Sequence, residues 1–506
     1  MRATSISRLF RGSMLLAALL VVAGCSLAPT YEKPTVPTPS SFKESSAQLT
    51  QTALEPSAVG TWKTAQPSEH SARGQWWTVF NDATLNDLEQ QALDANQTLK
   101  AAAARLKEAR ALNQAARAGL FPTLDAGFGP TTEKVSAASQ FLPDGTNVPQ
   151  QTLWRAQANA SYEVDLFGRV ASTVNAAKAD TQQSEALFHS VQLALQADVA
   201  QNYFALRELD AEVEVFATTV DLREQALTLV QHRFAEGEIG ELDVARARSE
   251  LATARSDSMT VQRLRAASEH SLAVLLGRAP AEFSMAANPL VPVDLRIPPG
   301  LPSALLERRP DVAAAERAMA AANARIGVAK AAFFPSLALT GAGGFESATL
   351  GDLFKWSSRA FLLGPLAGTA LNVPIFDGGR RKGNLANARA VYEEDVANYR
   401  QQVLTAFREV EDNLSDLRIL ENQTQTEAEA VQASARAAQL SRAQYKEGAV
   451  NYLDVIDAER TVLQSRRAAV QLAGVQAAAT VNLIRALGGG WGDAVTPPGE
   501  ATMAQR

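Results

Sequence analysis

The chain contains the same long segment twice, and this internal repeat limits what it can fold into. Residues 236–247 and 447–458 match at six positions with one constant offset of 211 residues (447 − 236 = 211). A chance match would not keep its register over hundreds of residues, so we interpret the chain as a tandem duplication with a unit of about 210 residues. Matches far outside these stretches keep nearly the same offset: Asn202/Asn413, Gly277/Gly488, and Phe-Pro at 121–122 and 334–335.

The repeat divides the chain into predicted segments. Residues 76–277 form the first unit and residues 303–488 the second, with a linker at 278–302 and a C-terminal segment at 489–506. Each unit is far larger than a solenoid repeat, so the two copies must be read for what they build together.

The N-terminus has the pattern of a bacterial export signal. Arginines near the start precede a short apolar run at 14–22, and small residues join that run to Cys25. This order predicts a secretory signal peptide, residues 1–24, whose apolar run is too short to span a bilayer. Cys25 is the only cysteine and follows a sequence that resembles a bacterial lipobox, so we expect a lipid on Cys25. Ser26 in the next position, rather than Asp, indicates the outer membrane.

Composition argues against several other classes of protein. The net charge is -6 and the pI about 5.5, so nothing favours a nucleic acid partner. A lone cysteine excludes an intramolecular disulfide, and no other apolar stretch is long enough for a transmembrane helix. Residues 25–75 are rich in Ser, Thr, Pro and Ala, and we predict an extended tether that ends in an irregular layer.

Each repeat contains a helical hairpin too long for a globular domain. Residues 169–236 and 384–447 contain neither Gly nor Pro, so each predicts a helix ~100 Å long. Gly237 and Gly448 are natural helix stops that predict the hairpin tips. Abundant alanine favours a sheet of closely packed helices, while a solid antiparallel rod remains the alternative. The predicted return helices are 241–276 and 450–487.

Each repeat also contains a predicted pair of strands. Residues 154–167 alternate apolar and polar side chains, which indicates a strand with one apolar face. Trp154 and Tyr162 put aromatic rings on that face, as interfacial girdles do. In the second repeat the alternation is weaker, and the prediction rests on the duplication. The four predicted strands are about 121–129, 153–167, 335–345 and 360–376.

Four strands in one chain cannot close a membrane barrel. Open edges leave backbone N–H and C=O groups unpaired in lipid, at several kcal/mol each. Single-chain barrels have about eight strands or more. If these strands lie in a membrane, several chains must therefore share one barrel. The alternative is a soluble, half-buried sheet.

Short motifs along nearly all of the mature chain point to one family. They are Trp76-Trp77, the helix from Leu85, Phe121-Pro122, and residues 162–168, 305–312, 334–336, 374–379 and 445–448. With these motifs the chain resembles the TolC-like outer membrane efflux proteins. It is most similar to their lipoprotein branch, which serves resistance-nodulation-division pumps.

The resemblance implies a fold and a function. Three protomers would form a homotrimer with one twelve-stranded β-barrel, four strands each, continued by a hollow α-helical coiled-coil barrel. A mixed α/β equatorial belt would come from roughly residues 60–95, 278–305 and 488–506. The trimer would be a passive exit duct in the outer membrane of a Gram-negative bacterium. It would receive drugs or other small toxic compounds from a periplasmic adaptor and an inner membrane resistance-nodulation-division transporter. The adaptor would dock near Gly237 and Gly448.

No set of residues typical of an enzyme stands out. The four histidines are scattered without metal-ligand spacing, and there is no Gly-rich phosphate loop or nucleophile motif. We therefore expect no enzymatic activity, no cofactor and no metal site.

The duplicated Leu-Asp-Val elements are the candidate functional site. Asp457 and Arg460, just after the second tip, are i,i+3 neighbours that by themselves fit a routine surface ion pair equally well. The resemblance implies instead a periplasmic gate, closed by contacts between chains around a ring of carboxylates. Val450 stands where some relatives carry a basic gate residue, and Lys446 is the proposed substitute. The predicted gate residues are Tyr445, Lys446, Leu453, Asp454, Asp457 and Arg460, with Asp243 and Arg246 from the first copy.

Two other functions fit the same features. One is a structural coiled-coil lipoprotein, a spacer anchored by Cys25, and the other is an export duct for peptides or proteins. Channel activity separates the spacer from a duct, and the neighbouring genes separate the two kinds of duct. The sequence does not give the substrate.

Overall fold

The computed structural model describes residues 27–36, 38–39, 41–46, 75–143, 145–292, 295, 308–363 and 370–489. The predicted signal peptide, Cys25 and all but the first residue of the C-terminal segment lie outside the described residues. None of the described helices has an apolar stretch long enough to cross a membrane.

Long helices account for most of the described chain. The helices are α1 (Lys43–Ser46), α2 (Ala83–Ala95), α3 (Gln97–Ala118), α4 (Arg169–Ala235), α5 (Glu241–Leu275), α6 (Pro310–Ala331), α7 (Arg380–Lys446) and α8 (Tyr452–Ala486). The strands are β1 (Thr123–Glu133), β2 (Gln151–Val164), β3 (Ser336–Ser347), β4 (Arg359–Leu363) and β5 (Leu371–Asn372).

The helix bounds repeat with the offsets seen in the sequence. α4 and α7 differ by 211 residues (380 − 169 = 211), as do α5 and α8 (452 − 241 = 211). α3 and α6 differ by 213 (310 − 97 = 213). Both tips end alike, because Gly237 and Gly448 have φ angles of 78° and 76°. In each turn the next amide bonds to a carbonyl of the preceding helix at 2.9 Å, which is a Schellman cap.

Two predicted helix starts differ from the structure. α8 begins at Tyr452 rather than at 450, because Asn451 caps it, and α7 begins at Arg380 rather than at 384. The reason for the α7 start is Asp377, whose carboxylate accepts hydrogen bonds from the backbone N–H groups of Gly379 (3.1 Å) and Arg381 (3.0 Å). This side chain supplies acceptors for the first helical amides, so Gly383 is carried inside the helix.

The strands form one antiparallel sheet in the order β1-β2-β3-β4, and β5 also pairs with β3. The register places apolar residues opposite one another, since Ala156 faces Phe128 on β1 and Phe345 on β3. The neighbouring Gln157 faces Gly127 and Gly344. The sheet therefore has one apolar, aromatic face and one polar face, as the alternation in β2 predicts.

All four strand predictions differ from the structure at their ends; β1 and β3 continue to Glu133 and Ser347, past the predicted 129 and 345. β2 stops at Val164 because the Asp165 carboxylate accepts a hydrogen bond from the Ala171 amide (2.7 Å) and begins α4. The predicted strand 360–376 is described as two pieces, β4 and β5, which pair with β3 in different registers. Between them the chain has four more residues than the facing part of β3, since 371 − 363 = 8 and 341 − 337 = 4.

The described chain falls into two compact units. One contains the described residues within 27–34, 106–184 and 315–399, including the sheet. The other contains the described residues within 35–105, 185–314 and 400–489, including the hairpin tips. The described parts of the predicted belt, 76–95 and 278–292, lie in this second unit and contain helical turns and extended chain without strand pairing.

The described part of the predicted tether between residues 27 and 46 packs against helices, so this part is not a free linker, whereas residues 47–74 lie outside the described residues. The Tyr31 hydroxyl donates to a carboxylate oxygen of the buried Glu316 on α6 (2.5 Å). The Asn323 amide donates to the Pro29 carbonyl oxygen (2.9 Å). Ala28 lies against Gly327, where an added Cβ would come within 2.6 Å of the Ala28 Cβ. Because Gly327 has no side chain, it leaves the space that Ala28 of this segment occupies.

Glu89 is a carboxyl group without a partner inside the second unit. It lies on α2 among core residues such as Leu85 and Leu88, and it is fully buried. Neither of its carboxyl oxygens has a hydrogen-bond partner, and the same holds for Oδ1 of Asn86. Burial raises the pKa of Glu89 from 4.5 to about 9, so the folded protein holds this group protonated at neutral pH.

We predict that Gly327→Ala displaces the N-terminal segment from α6. The added methyl group would collide with the Ala28 backbone, at a cost of roughly 1–3 kcal/mol. Limited proteolysis should cleave near residue 28 faster in the variant. Gly383→Ala is the matched control, because this helical glycine has nothing within 4 Å of an added Cβ. Equal cleavage rates in the two variants would contradict the packing of this segment.

We predict that Glu89→Gln removes a pH dependence of stability. The folded-state pKa of about 9 lies above the 4.5 of the free group, so wild-type stability falls as the pH rises from about 4.5 towards 9. Over this pH range the free energy of unfolding of the variant should rise relative to that of wild type by roughly 1.4 kcal/mol per pH unit. Thermal midpoints measured between pH 5.5 and 8.5 check it, with the exposed Glu108→Gln as control. A constant difference between Glu89→Gln and wild type would contradict a buried, protonated Glu89.

Candidate functional site

The two hairpins pack on each other just behind their turns. Buried side chains from α4, α5, α7 and α8 form one apolar cluster there: Val230, Val244, Ala247, Tyr445, Tyr452, Val455 and Ile456. One duplicated pair of positions, Val244 and Val455, is part of it. This cluster fixes where the last turn of α7 and the first turns of α5 and α8 lie, and the predicted gate residues are on these turns or on the two turns that follow in α5 and α8.

Tyr445 belongs to this packing. It is only 6% exposed, and its ring lies 5.4 Å from that of Tyr452. Arg233 from the first hairpin stacks over the ring (5.0 Å to the centroid) and donates to the Tyr445 carbonyl oxygen (3.0 Å). Burial raises the pKa of the Tyr445 hydroxyl, with Arg233 opposing the shift. The hydroxyl itself is buried without a hydrogen-bond partner.

Asp454 has a local structural task. It forms a capping box with Asn451, in which its carboxylate accepts from the Asn451 amide (3.2 Å) and its own amide donates to the Asn451 side chain (3.3 Å). Its counterpart Asp243 also lies in the first turn of its helix and pairs with Arg246 (3.4 Å). Negatively charged carboxylates at these positions stabilise the N-termini of α5 and α8.

Arg460 pairs chiefly with a residue that the sequence prediction missed. Its guanidinium makes two bonds to the carboxylate of Glu250 on α5, one of them at 3.3 Å from Nε. The predicted partner Asp457 is farther away, at 3.8 Å, and 64% exposed. Arg223 on α4 also binds Glu250, through the carboxylate (2.9 Å) and through the backbone carbonyl oxygen (2.7 Å).

The structure thus places six predicted gate residues within three helical turns of the tips: Tyr445 at the end of α7, Asp243 and Arg246 at the start of α5, and Asp454, Asp457 and Arg460 at the start of α8. Lys446 and Leu453 are exposed there. Sequence reasoning missed Arg233, Glu250 and Arg223. No short spacing marks them, because Glu250 bonds to residues 27 and 210 positions away.

This arrangement can hold and release a contact, and it offers no reactive group. Within the described residues no group of His, Cys, Asp and Glu could hold a metal ion. The charged side chains pair across helices. Their chemistry is the making and breaking of ion pairs between the two hairpins.

Comparison with known proteins places this fold. The model of a family described as "Outer membrane efflux protein" matches residues 88–278 and 301–489, one match in each repeat. Similar proteins are the toluene efflux pump outer membrane protein TtgF of Pseudomonas putida and OprJ of Pseudomonas aeruginosa. TtgF is 33% identical over 487 residues, which cover 96% of this chain and 98% of TtgF. OprJ is 34% identical over 485 residues, which cover 95% of this chain and 96% of OprJ.

Solved structures share the fold. The outer-membrane channel OprN superposes with a TM-score of 0.81 at 28% identity and covers 92% of this chain and 100% of its own. The open state of the Neisseria gonorrhoeae MtrE channel superposes with a TM-score of 0.76 at 29% identity, covering 92% and 98%.

These matches define an α/β outer membrane channel. The chain belongs to the outer membrane efflux protein family. It is the outer membrane exit duct of an efflux pump in a Gram-negative bacterium, and the predicted resemblance is confirmed.

We predict that Tyr445→Phe leaves the hairpin tip intact and that Tyr445→Ala disrupts it. The ring carries the contacts with Tyr452 and Arg233, whereas the buried hydroxyl has no partner. Removing the ring should cost roughly 3–5 kcal/mol. Thermal unfolding of both variants tests this. A loss in Tyr445→Phe as large as in Tyr445→Ala would show that the hydroxyl, not the ring, is what matters.

Proposed function

We propose that three copies of this chain assemble into one duct through the outer membrane. The observation that carries the proposal is the sheet, which has one apolar face, one polar face and unpaired outer edges. In the described residues β1 pairs only with β2, and β4 pairs only with β3. Lipid does not tolerate such edges, so copies would join β1 of one chain to the β4/β5 edge of the next. With β4 and β5 counted as two pieces of one strand, each chain gives four strands and three copies give twelve, within the range of known barrels.

The two faces of the sheet suit the lipid and the lumen. On the apolar face, Phe128 and Phe361 are 65% and 82% exposed in the single chain. On the polar face, Arg155 binds Glu346 (2.7 Å) and approaches Glu133 (3.6 Å). Paired charges on the polar face are compatible with a water-filled lumen. Exposed aromatic rings on the apolar face are compatible with the hydrocarbon of the bilayer. This segregation favours a duct over a soluble spacer.

The hairpin tips are proposed to form the periplasmic gate. Asp454 and Asp457 are exposed, and Leu453 is 40% exposed, so all three are free to meet the equivalent residues of neighbouring chains. Threefold rings of carboxylates repel each other unless they are bridged. Bridges from Lys446 or Arg246 would close the end of the tube, while Arg460 is bound to Glu250 within its own chain.

The partners follow from the pump. The turns at Gly237 and Gly448 are exposed and are proposed to dock a periplasmic adaptor, which would connect the duct to an inner membrane resistance-nodulation-division transporter. Among the relatives, TtgF is named for toluene and CusC of Escherichia coli for cations. We propose drugs or other small toxic compounds as cargo here, conducted passively and selected by the transporter.

A lipid on Cys25 is proposed to anchor the N-terminus in the outer membrane. The described segment just after it packs on α6, so an anchor would be tied to the folded protein. Cells fed a labelled palmitate should incorporate it into the wild-type chain and not into Cys25→Ser. Labelling that survives in Cys25→Ser would contradict the anchor.

We predict that the double variant Asp454→Asn, Asp457→Asn raises the closed-state conductance of the purified channel. Asparagine can keep the helix cap but removes the charge that bridging groups bind. Losing about 1 kcal/mol of contact would raise the open fraction roughly fivefold. Single-channel recording in planar bilayers measures it. Asp412→Asn is the control, because Asp412 lies in an exposed pair with Arg408 on α7 (3.9 Å). Unchanged conductance in the double variant would contradict the gate.

A further inference from the structure

Glu250 joins three helices at one carboxylate. It lies on α5, and it accepts bonds from Arg223 on α4 and from Arg460 on α8. The carboxylate side chain is only 11% exposed. A single buried acid thus holds two guanidiniums, one from each repeat of the chain.

Arg223 fixes the position of Glu250. Its side chain is 7% exposed and bonds to both the carboxylate and the backbone of Glu250. These are charge-assisted bonds between neighbouring helices of the first hairpin, shielded from water and salt. The first hairpin therefore presents Glu250 as a preset acceptor.

Arg460 is the more exposed partner in this contact. Its side chain is 58% exposed, and it reaches Glu250 with two nitrogen atoms. A two-pronged bond to a shielded carboxylate outweighs a 3.8 Å contact with the exposed Asp457, because exposed i,i+3 pairs contribute little. The position of the Arg460 side chain is thus determined by Glu250 of the first repeat.

The contact ties the two hairpins together close to the proposed gate. Arg460 lies on the same helix as Asp454 and Asp457, within two turns. Behind the tip, the other described polar links between the hairpins are Arg233 to the Tyr445 carbonyl oxygen, Gln471 and Arg467 to Glu212, and Gln201 to Asn482. Arg233 also stacks on the Tyr445 ring, but among the described hydrogen bonds and ion pairs between the hairpins, only the Glu250 link is made to the side chain of a predicted gate residue.

We infer that Glu250 is the positioning residue of the gate: it holds Arg460, and through Arg460 the start of α8, in the resting arrangement. This inference rests on the proposed function of the tips. Release of Arg460 from Glu250 frees the second hairpin to move against the first. The carboxylate rings of α8 then separate.

The test compares conductance in planar bilayers among Glu250→Gln, Arg460→Gln and their double variant. Glutamine keeps the shape of Glu250 and leaves a shorter, uncharged polar side chain at position 460, so each change removes the ion pair. Glu250→Gln should raise the open-to-closed ratio about tenfold, and the double variant should match the single ones, because all three remove one interaction. Thermal midpoints of the trimers report whether each variant is folded. Glu224→Gln is the matched control, since it breaks an exposed pair with Arg255 that links α4 to α5 and does not reach α8.

The outcomes separate this inference from the proposed function. If the Asp454/Asp457 variant opens and Glu250→Gln does not, the positioning role is wrong and the gate stands. If Glu250→Gln opens but the effect of Arg460→Gln adds to it, Glu250 acts apart from Arg460 and the inference is also wrong. If Glu224→Gln raises the open-to-closed ratio equally, the effect is a general destabilisation of the hairpins, and the inference is wrong. If no variant changes the conductance, the gate itself fails, and the inference fails with it.

Discussion

The structure depends on one constraint: a strand in lipid needs a partner on both sides. Within the described residues, the sheet β1-β2-β3-β4 satisfies this inside and leaves its outer strands, β1 and β4, each with one partner strand. The proposed assembly of identical chains would pair these edges. In that proposal the closed barrel follows from the need to pair backbone N–H and C=O groups.

Duplication explains why the tips are similar and why they differ. The same Schellman turn and return helix occur at Gly237 and Gly448, so the backbone of the two copies matches. The charges do not match, since Glu250 in the first copy holds Arg460 from the second. The first repeat provides a buried acceptor, Glu250, and the second an exposed donor, Arg460. The two hairpins therefore match in backbone and differ in their charged side chains.

Sequence reasoning predicted what local patterns encode. Uninterrupted helix formers gave α4 and α7, and the alternation around Trp154 gave β2 and its two faces. It failed where distant residues decide. The packing of the N-terminal segment against Gly327 and the shift between β4 and β5 carry no local signal. In the sequence, nothing distinguishes Glu250 from other glutamates on helices, because its role depends on the contact with Arg460 on α8. Glu89 is different, because its position four residues after Leu85 already places it on the apolar face of α2.

The central claim is that the sheet of one chain is completed only by other copies. Electron cryo-microscopy of the purified channel tests it most directly. We predict three chains, with β1 of each hydrogen-bonded to the β4/β5 edge of its neighbour and the polar face of Arg155 lining the lumen. A particle in which a single chain closes its own sheet, or in which the edges stay unpaired within the membrane, would contradict the account.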